Sequence, residues 1–216
     1  MFTEIFGDFV VAGEAIRCEL PGGHYATATI KYDPDAEAPW NDAGHGQVRD
    51  VAADYSRPRG KKPGEIVLGG GGRGHFWLYD FAEACKTARL DGWGYHGKSV
   101  EEHRAAGLTL RQIAANAARD DADALAAWLN GDWYFVGVVV QIFDANGHEV
   151  GDDCSLWRIE CNYPAPHKPR GQVNDYPTEV ANELLADAID ELRGRGLDLD
   201  PPPGTPPRVY AMTDWS

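Results

Sequence analysis

The stretch WYFVGVVVQIFDANGHEVGDDCSLWRIE, residues 133–160, decides the fold class. Tyr134, Val136, Val138, Val140 and Ile142 form an unbroken apolar face, mostly β-branched, as a central strand requires. The alternate face, Trp133, Phe135, Gly137, Val139, Gln141 and Phe143, is also largely apolar, so it too is expected to be covered. A glycine at 137, mid-strand, predicts close approach by another backbone. Asn146-Gly147 turns the chain, and Leu156, Trp157 and Ile159 belong to the return strand of a long hairpin.

Working outward, Phe9–Leu20 and Tyr25–Tyr32 read as two strands joined at Pro21-Gly22-Gly23. Thr27, Thr29 and Lys31 alternate with Ala26, Ala28 and Ile30, which predicts one wet side. Residues 33–64 have no periodicity and much Pro, Gly and Asp, so they read as a long loop. Glu65–Leu68 and His75–Tyr79 are short strand candidates around Gly69–Gly72. Asp80 with Glu83 opens a helix that Gly92 should stop, and residues 93–107 look irregular. Thr109 with Gln112 opens a second helix, running to Asn130. Its stripe is Leu110, Ile113, Ala114, Ala117, Leu125, Trp128 and Leu129. Asp120 and Asp121 fall where that stripe should continue, so the helix either breaks there or sets an acid at the edge of the core. A last helix starts near Pro177 and buries Val180, Ala181, Leu184, Leu185, Ala188, Ile189 and Leu192. Residues 197–216 are a proline-rich extended tail. Hairpins and helices that do not alternate strictly predict an α+β fold. The expectation is one domain over residues 1–196, with an antiparallel sheet built from two hairpins and helices on one face.

Composition bounds the function. With 34 acidic residues against 20 Lys plus Arg, the net charge is −14. Residues 51–100 reverse the balance, 5 acids against 8 bases, and include RPRGKK at Arg57–Lys62. So acidic a chain repels phosphates, which argues against direct nucleic-acid binding and suits a partner with a basic surface. The N-terminus lacks a basic, long-apolar leader, and no apolar run approaches the about 18 residues a membrane span needs. The expectation is a cytoplasmic protein with no membrane association. Cys18, Cys85, Cys154 and Cys161 have no C-x-x-C spacing and read as free thiols.

No catalytic motif emerges. The glycine run at 69–72 lacks the Lys-Ser/Thr pair and immediate helix of a phosphate loop. Ser155 sits in a strand rather than a nucleophile elbow. No cofactor is implied. A metal reading would use Asp42, His45 and Asp50 as ligands, around the NDAGHG string; the bland alternative is a histidine that fixes its own loop. Asp152, Asp153 and Glu160 are a weaker carboxylate cluster near a turn. The last helix repeats an acid every fourth residue, at Glu179, Glu183, Asp187 and Glu191, about 6 Å apart. Such a stripe is either a solvated face or a mimic of nucleic-acid phosphates facing a basic groove. Trp40, in the loop 39–46, is the other candidate contact residue.

APWNDAGHGQV (38–48), PGEIVL (63–68), FWLYDFAEACKTARLDGWG (76–94), WYFVGVVVQIFD (133–144), SLWRIE (155–160) and YPTEVANELL (176–185) together resemble an uncharacterised family of accessory proteins from bacteriophages and mobile elements. That resemblance carries no catalytic residues. It implies a binder of host or phage proteins, such as an anti-CRISPR or anti-restriction inhibitor. A metal-dependent hydrolase of nucleotides or nucleic acid, and a phage replication or assembly factor, are the alternatives.

Overall fold

The strand marked as central in the sequence, Tyr134–Phe143, occupies an inner position in its sheet. The computed structural model describes residues 1–7, 9–41, 44–54, 56–70, 74–95, 98–164, 176–197 and 199. The fold is α+β, with two four-stranded antiparallel sheets and, among the described residues, four α-helices. Where the sequence suggests one domain over 1–196, contacts group the described residues into two units. One comprises 1–33, 136–159 and the residues from 176; the other comprises 34–135 and 160–164. Of the expected tail, all but Leu197 and the buried Leu199 lies outside the described residues.

The first unit joins two hairpins. Its strands are β1 (Ala15–Glu19), β2 (Tyr25–Tyr32), β7 (Tyr134–Phe143) and β8 (Cys154–Cys161), in that spatial order. Antiparallel register sets Ile16 opposite Ala28, Cys18 opposite Ala26, and Ala26, Ala28 and Ile30 opposite Ile142, Val140 and Val138. Directly opposed residues share a face, and all of these are buried, so they build one continuous core layer. The other face is half wet. Tyr25 stacks on Phe143 with ring centroids 5.0 Å apart, and the Arg17 guanidinium lies 3.6 Å from the Tyr25 ring centre.

Two expectations for this unit need correction. The first strand begins at Ala15, not Phe9. The Glu14 carboxylate accepts hydrogen bonds from the Gly7 and Val11 amides, and Gly13 turns at φ 96°, so residues 9–14 curl instead of extending. Gly137 does mark a close approach, but by a side chain. A Cβ there would meet the Trp157 indole at 2.3 Å. Helix α4 (Tyr176–Gly194) buries Val180, Ala181, Leu185, Ala188 and Leu192, close to the expected stripe. Asn182 Oδ1 and Thr178 Oγ1 accept from the Phe2 and Phe6 amides, at 2.8 and 3.2 Å, tying the N-terminal segment to this helix.

The second unit contains β3 (Val48–Asp54), β4 (Arg57–Pro58), β5 (Glu65–Gly70) and β6 (His75–Asp80), ordered β4-β3-β6-β5. β3 and β4 correct the reading of residues 33–64 as loop. VRDVAAD has only one fully buried side chain, Val51, so its alternation is too weak to see, and the strand is secured by pairing with β6. The basic segment is partly built into this edge: Arg57–Pro58 is β4, and Arg49 donates to the Gly60 carbonyl. Helices α1 (Phe81–Asp91), α2 (Val100–Ala105) and α3 (Leu110–Asn130) follow. The predicted caps are present: Asp80 accepts from the Glu83 amide, Gly92 closes α1 at φ 75°, and Thr109 and Gln112 form a reciprocal box. The 93–107 stretch is not wholly irregular, because Ser99 and Glu102 cap α2 in the same way. α3 packs on α1 and β5, and it is unbroken through Asp120 and Asp121.

Candidate functional site

An acid at residue 121 of α3 is the anomaly around which the second unit's polar site is built. Neighbouring positions on that helix face, Ala117, Ala118, Ala122 and Leu125, are buried, and the Asp121 side chain is buried among them at 7% exposure. A carboxylate in such a place needs partners. It has three. Tyr79, fully buried on β6, donates its hydroxyl to Oδ2 at 2.7 Å. The Gly46 amide donates to the same oxygen at 2.9 Å, and His45 Nδ1 meets Oδ1 at 2.6 Å. Gly46 is required by this geometry, because a Cβ there would lie 2.4 Å from the Tyr79 ring. On the far side of the turn, the Trp93 indole donates to the Gly44 carbonyl at 2.8 Å. The 44–46 turn is therefore pinned to α3 through Asp121 and to the α1–α2 connection through Trp93.

This cluster borders a cleft of about 330 Å³, lined by His45, Trp93, Asp120, Asp121 and Tyr163 over a floor of Gly94 and Ala117. Burial, followed by the charges of Glu160, Asp121 and Asp120, pushes the Tyr163 phenol up to about 12. Burial first, then the Asp121 charge and the hydrogen bond it accepts, raises Tyr79 far above the usual phenol range. Both phenols remain protonated donors at neutral pH. With Nδ1 turned to the carboxylate, the His45 ring leaves Nε2 as its second polar atom. Carboxylate-held histidines of this kind can move protons. Among the described residues, the lining offers the Tyr163 phenol but no serine, threonine or cysteine beside the pair.

A second cleft, of about 430 Å³, shares Gly94, Ala117 and Asp120 with the first and extends between α2 and α3. Tyr95, Lys98, His103, Leu108 and Ile113 complete much of its wall. Tyr95 and His103 pack edge to face with centroids 5.6 Å apart.

The set proposed as metal ligands is described only at His45 and Asp50. Asp42 lies outside the described residues. His45 turns Nδ1 to Asp121, whereas Asp50, on β3, faces His75 at 3.1 Å. Among the described residues, no group of three or more His, Cys, Asp or Glu is disposed to hold a metal ion. The candidate contact residues are arranged as follows. Glu179, Glu183 and Asp187 are exposed along one side of α4. The fourth acid, Glu191, pairs with Arg195, which also reaches Asp152 at 2.9 Å. Trp40 is half-buried between Trp77 and Trp128, with centroids 4.9 and 5.2 Å away, so it is held by its own unit.

The sequence flags Asp121 only as an interruption of an apolar stripe, and Tyr79 by nothing at all, since HFWLY reads as a plain buried strand. Comparison with family models, with curated proteins and with solved structures gives no match. Among the described residues, no helix is long and apolar enough to cross a membrane.

Proposed function

We propose that this chain is a non-enzymatic binding protein that docks through an acidic face onto a basic surface of another protein. One observation carries the reading. Glu179, Glu183 and Asp187 project from successive turns of α4, all exposed, and no ion pair to a cation is formed by any of them among the described residues. Like charges one turn apart destabilise a helix by a few tenths of a kcal/mol per pair. A partner that supplies the counter-charge turns that cost into affinity and speeds association. The −14 net charge adds a long-range field of the same sign. The sequence resemblance to mobile-element accessory proteins favours a host or phage protein as the partner, with inhibition of a host defence system as its role. The test is a charge-reversal series, Glu179→Lys, Glu183→Lys and Asp187→Lys, singly and combined. Each substitution is expected to weaken partner capture and the triple variant to abolish it, with the helix content unchanged. Capture that survives the triple variant defeats the proposal.

A second reading is carried by the His45–Asp121 pair, whose carboxylate-held imidazole borders a cleft. In that reading the chain is a hydrolase that uses His45 to take a proton from water. His45→Gln, which keeps a polar group without a titrating ring, would abolish turnover while retaining the fold.

A further inference from the structure

Among the described residues, two buried polar atoms of the second unit have no hydrogen-bond partner: the Tyr95 hydroxyl and His103 Nε2. Tyr95 is 6% exposed. Orphaned groups of this kind are rare in folded proteins, because each forfeits its hydration without replacement. The two residues pack ring against ring, and both line one cleft of about 430 Å³. The volume falls in the range of about 300–1,000 Å³ that small-molecule sites occupy.

The chemistry around these atoms narrows what would satisfy them. An apolar ligand would leave both orphaned. A simple anion meets Lys98 at the exposed rim but also the Asp120 carboxylate in the same wall, and a simple cation meets the reverse conflict. Tyr95 OH donates and accepts, and His103 Nε2 does either according to its tautomer. The remaining wall includes the apolar side chains of Leu108 and Ile113 and the small Ala117. A rigid, neutral, flat molecule with donors and acceptors on its edge and apolar faces fits that combination. We infer that this cleft is a binding site for a planar nitrogen heterocycle of nucleobase or nucleoside size, held at its edge by Tyr95 and His103. The described residues that line it all belong to the second unit.

The experiment titrates the full chain separately with adenosine, guanosine, cytidine and uridine, by calorimetry and thermal shift, with inorganic phosphate as the anion control. At least one nucleoside raises Tm by several degrees at a hundredfold excess over its Kd. Tyr95→Phe weakens that binding at least tenfold. It leaves the ligand-free Tm unchanged or higher, because it deletes an unpaired hydroxyl while keeping the ring. His103→Leu weakens the same nucleoside independently, so the site is still tested where one variant folds poorly. The inference is overturned if none of the four nucleosides binds or if Tyr95→Phe binds as tightly as the parent. It is also overturned if phosphate alone reproduces the shift, which would make this an anion site. A Tyr95→Phe variant that loses several degrees of ligand-free Tm overturns it too, because the hydroxyl then serves the fold through a buried water.

Discussion

Replacing Asp121 by alanine and by asparagine separates what its charge does from what its shape does. Alanine removes three hydrogen bonds to a carboxylate, from Tyr79, Gly46 and His45. It also strands the Tyr79 hydroxyl, which is fully buried. Hydrogen bonds to charged groups contribute about 1.5–3 kcal/mol each, and an orphaned buried donor costs about 1–3 kcal/mol. These terms overlap, because the partners relax, and removing one member of a buried charged network costs about 3–5 kcal/mol in practice. At a urea slope of about 2 kcal/mol per M the midpoint falls by roughly 2 M. Asparagine preserves more. Its oxygen in the Oδ2 position keeps the Gly46 and Tyr79 bonds. Its amide then occupies the Oδ1 position and donates to His45 Nδ1, which must become the acceptor. The expected loss is about 1–2 kcal/mol, together with a tautomer change of His45 visible in its ring nitrogen shifts. A midpoint shift below about 0.5 M for Asp121→Ala, or an unchanged His45 tautomer in Asp121→Asn, refutes the assignment of Asp121 as the organising acceptor.

Gly137→Ala should cost about 1–3 kcal/mol by overpacking against Trp157, and most of that loss should vanish in a Trp157→Ala background, measured as a double-mutant cycle in urea. Thr109→Ala removes the reciprocal cap of α3 and should cost about 1 kcal/mol, seen as a lower urea midpoint. The Arg49 guanidinium, through hydrogen bonds at 2.7 and 2.8 Å, holds the Glu65 carboxyl down to about 2. A depressed carboxyl stabilises the fold fully above its unfolded value near about 4.3 and loses that contribution as pH falls toward 2. Wild type should therefore lose stability between pH 5 and pH 2 more steeply than Glu65→Gln, in parallel acid titrations followed by circular dichroism.

Local chemistry carried most of the fold into the sequence. The β7 faces, the Asp80, Gly92 and Thr109 caps and the α4 stripe are each set by residues a few positions apart, so a one-dimensional reading recovers them. β3 is hidden in the sequence because it gains order by pairing with β6, some 25 residues on, while only Val51 among its own side chains is buried. α2 was visible in Ser99 and Glu102 but lost among the surrounding glycines. The polar site was legible only as an anomaly. Asp121 broke a pattern, yet its partners lie 42, 75 and 76 residues away, and nothing local in NDAGHG or HFWLY announces that they converge. The NDAGHG string offers His45 as a metal ligand, and in the structure its Nδ1 meets the helix acid Asp121.

The central claim, docking through an acidic face, is tested most directly by affinity capture of a partner on the full chain from bacterial cell lysate at low salt and at about 0.5 M, with the triple variant Glu179→Lys, Glu183→Lys, Asp187→Lys alongside. The higher salt shortens electrostatic screening to roughly 4 Å. The account predicts one basic protein held by the wild type at low salt, released at high salt, and absent from the variant at both. A partner retained equally at both salts and by both proteins contradicts it.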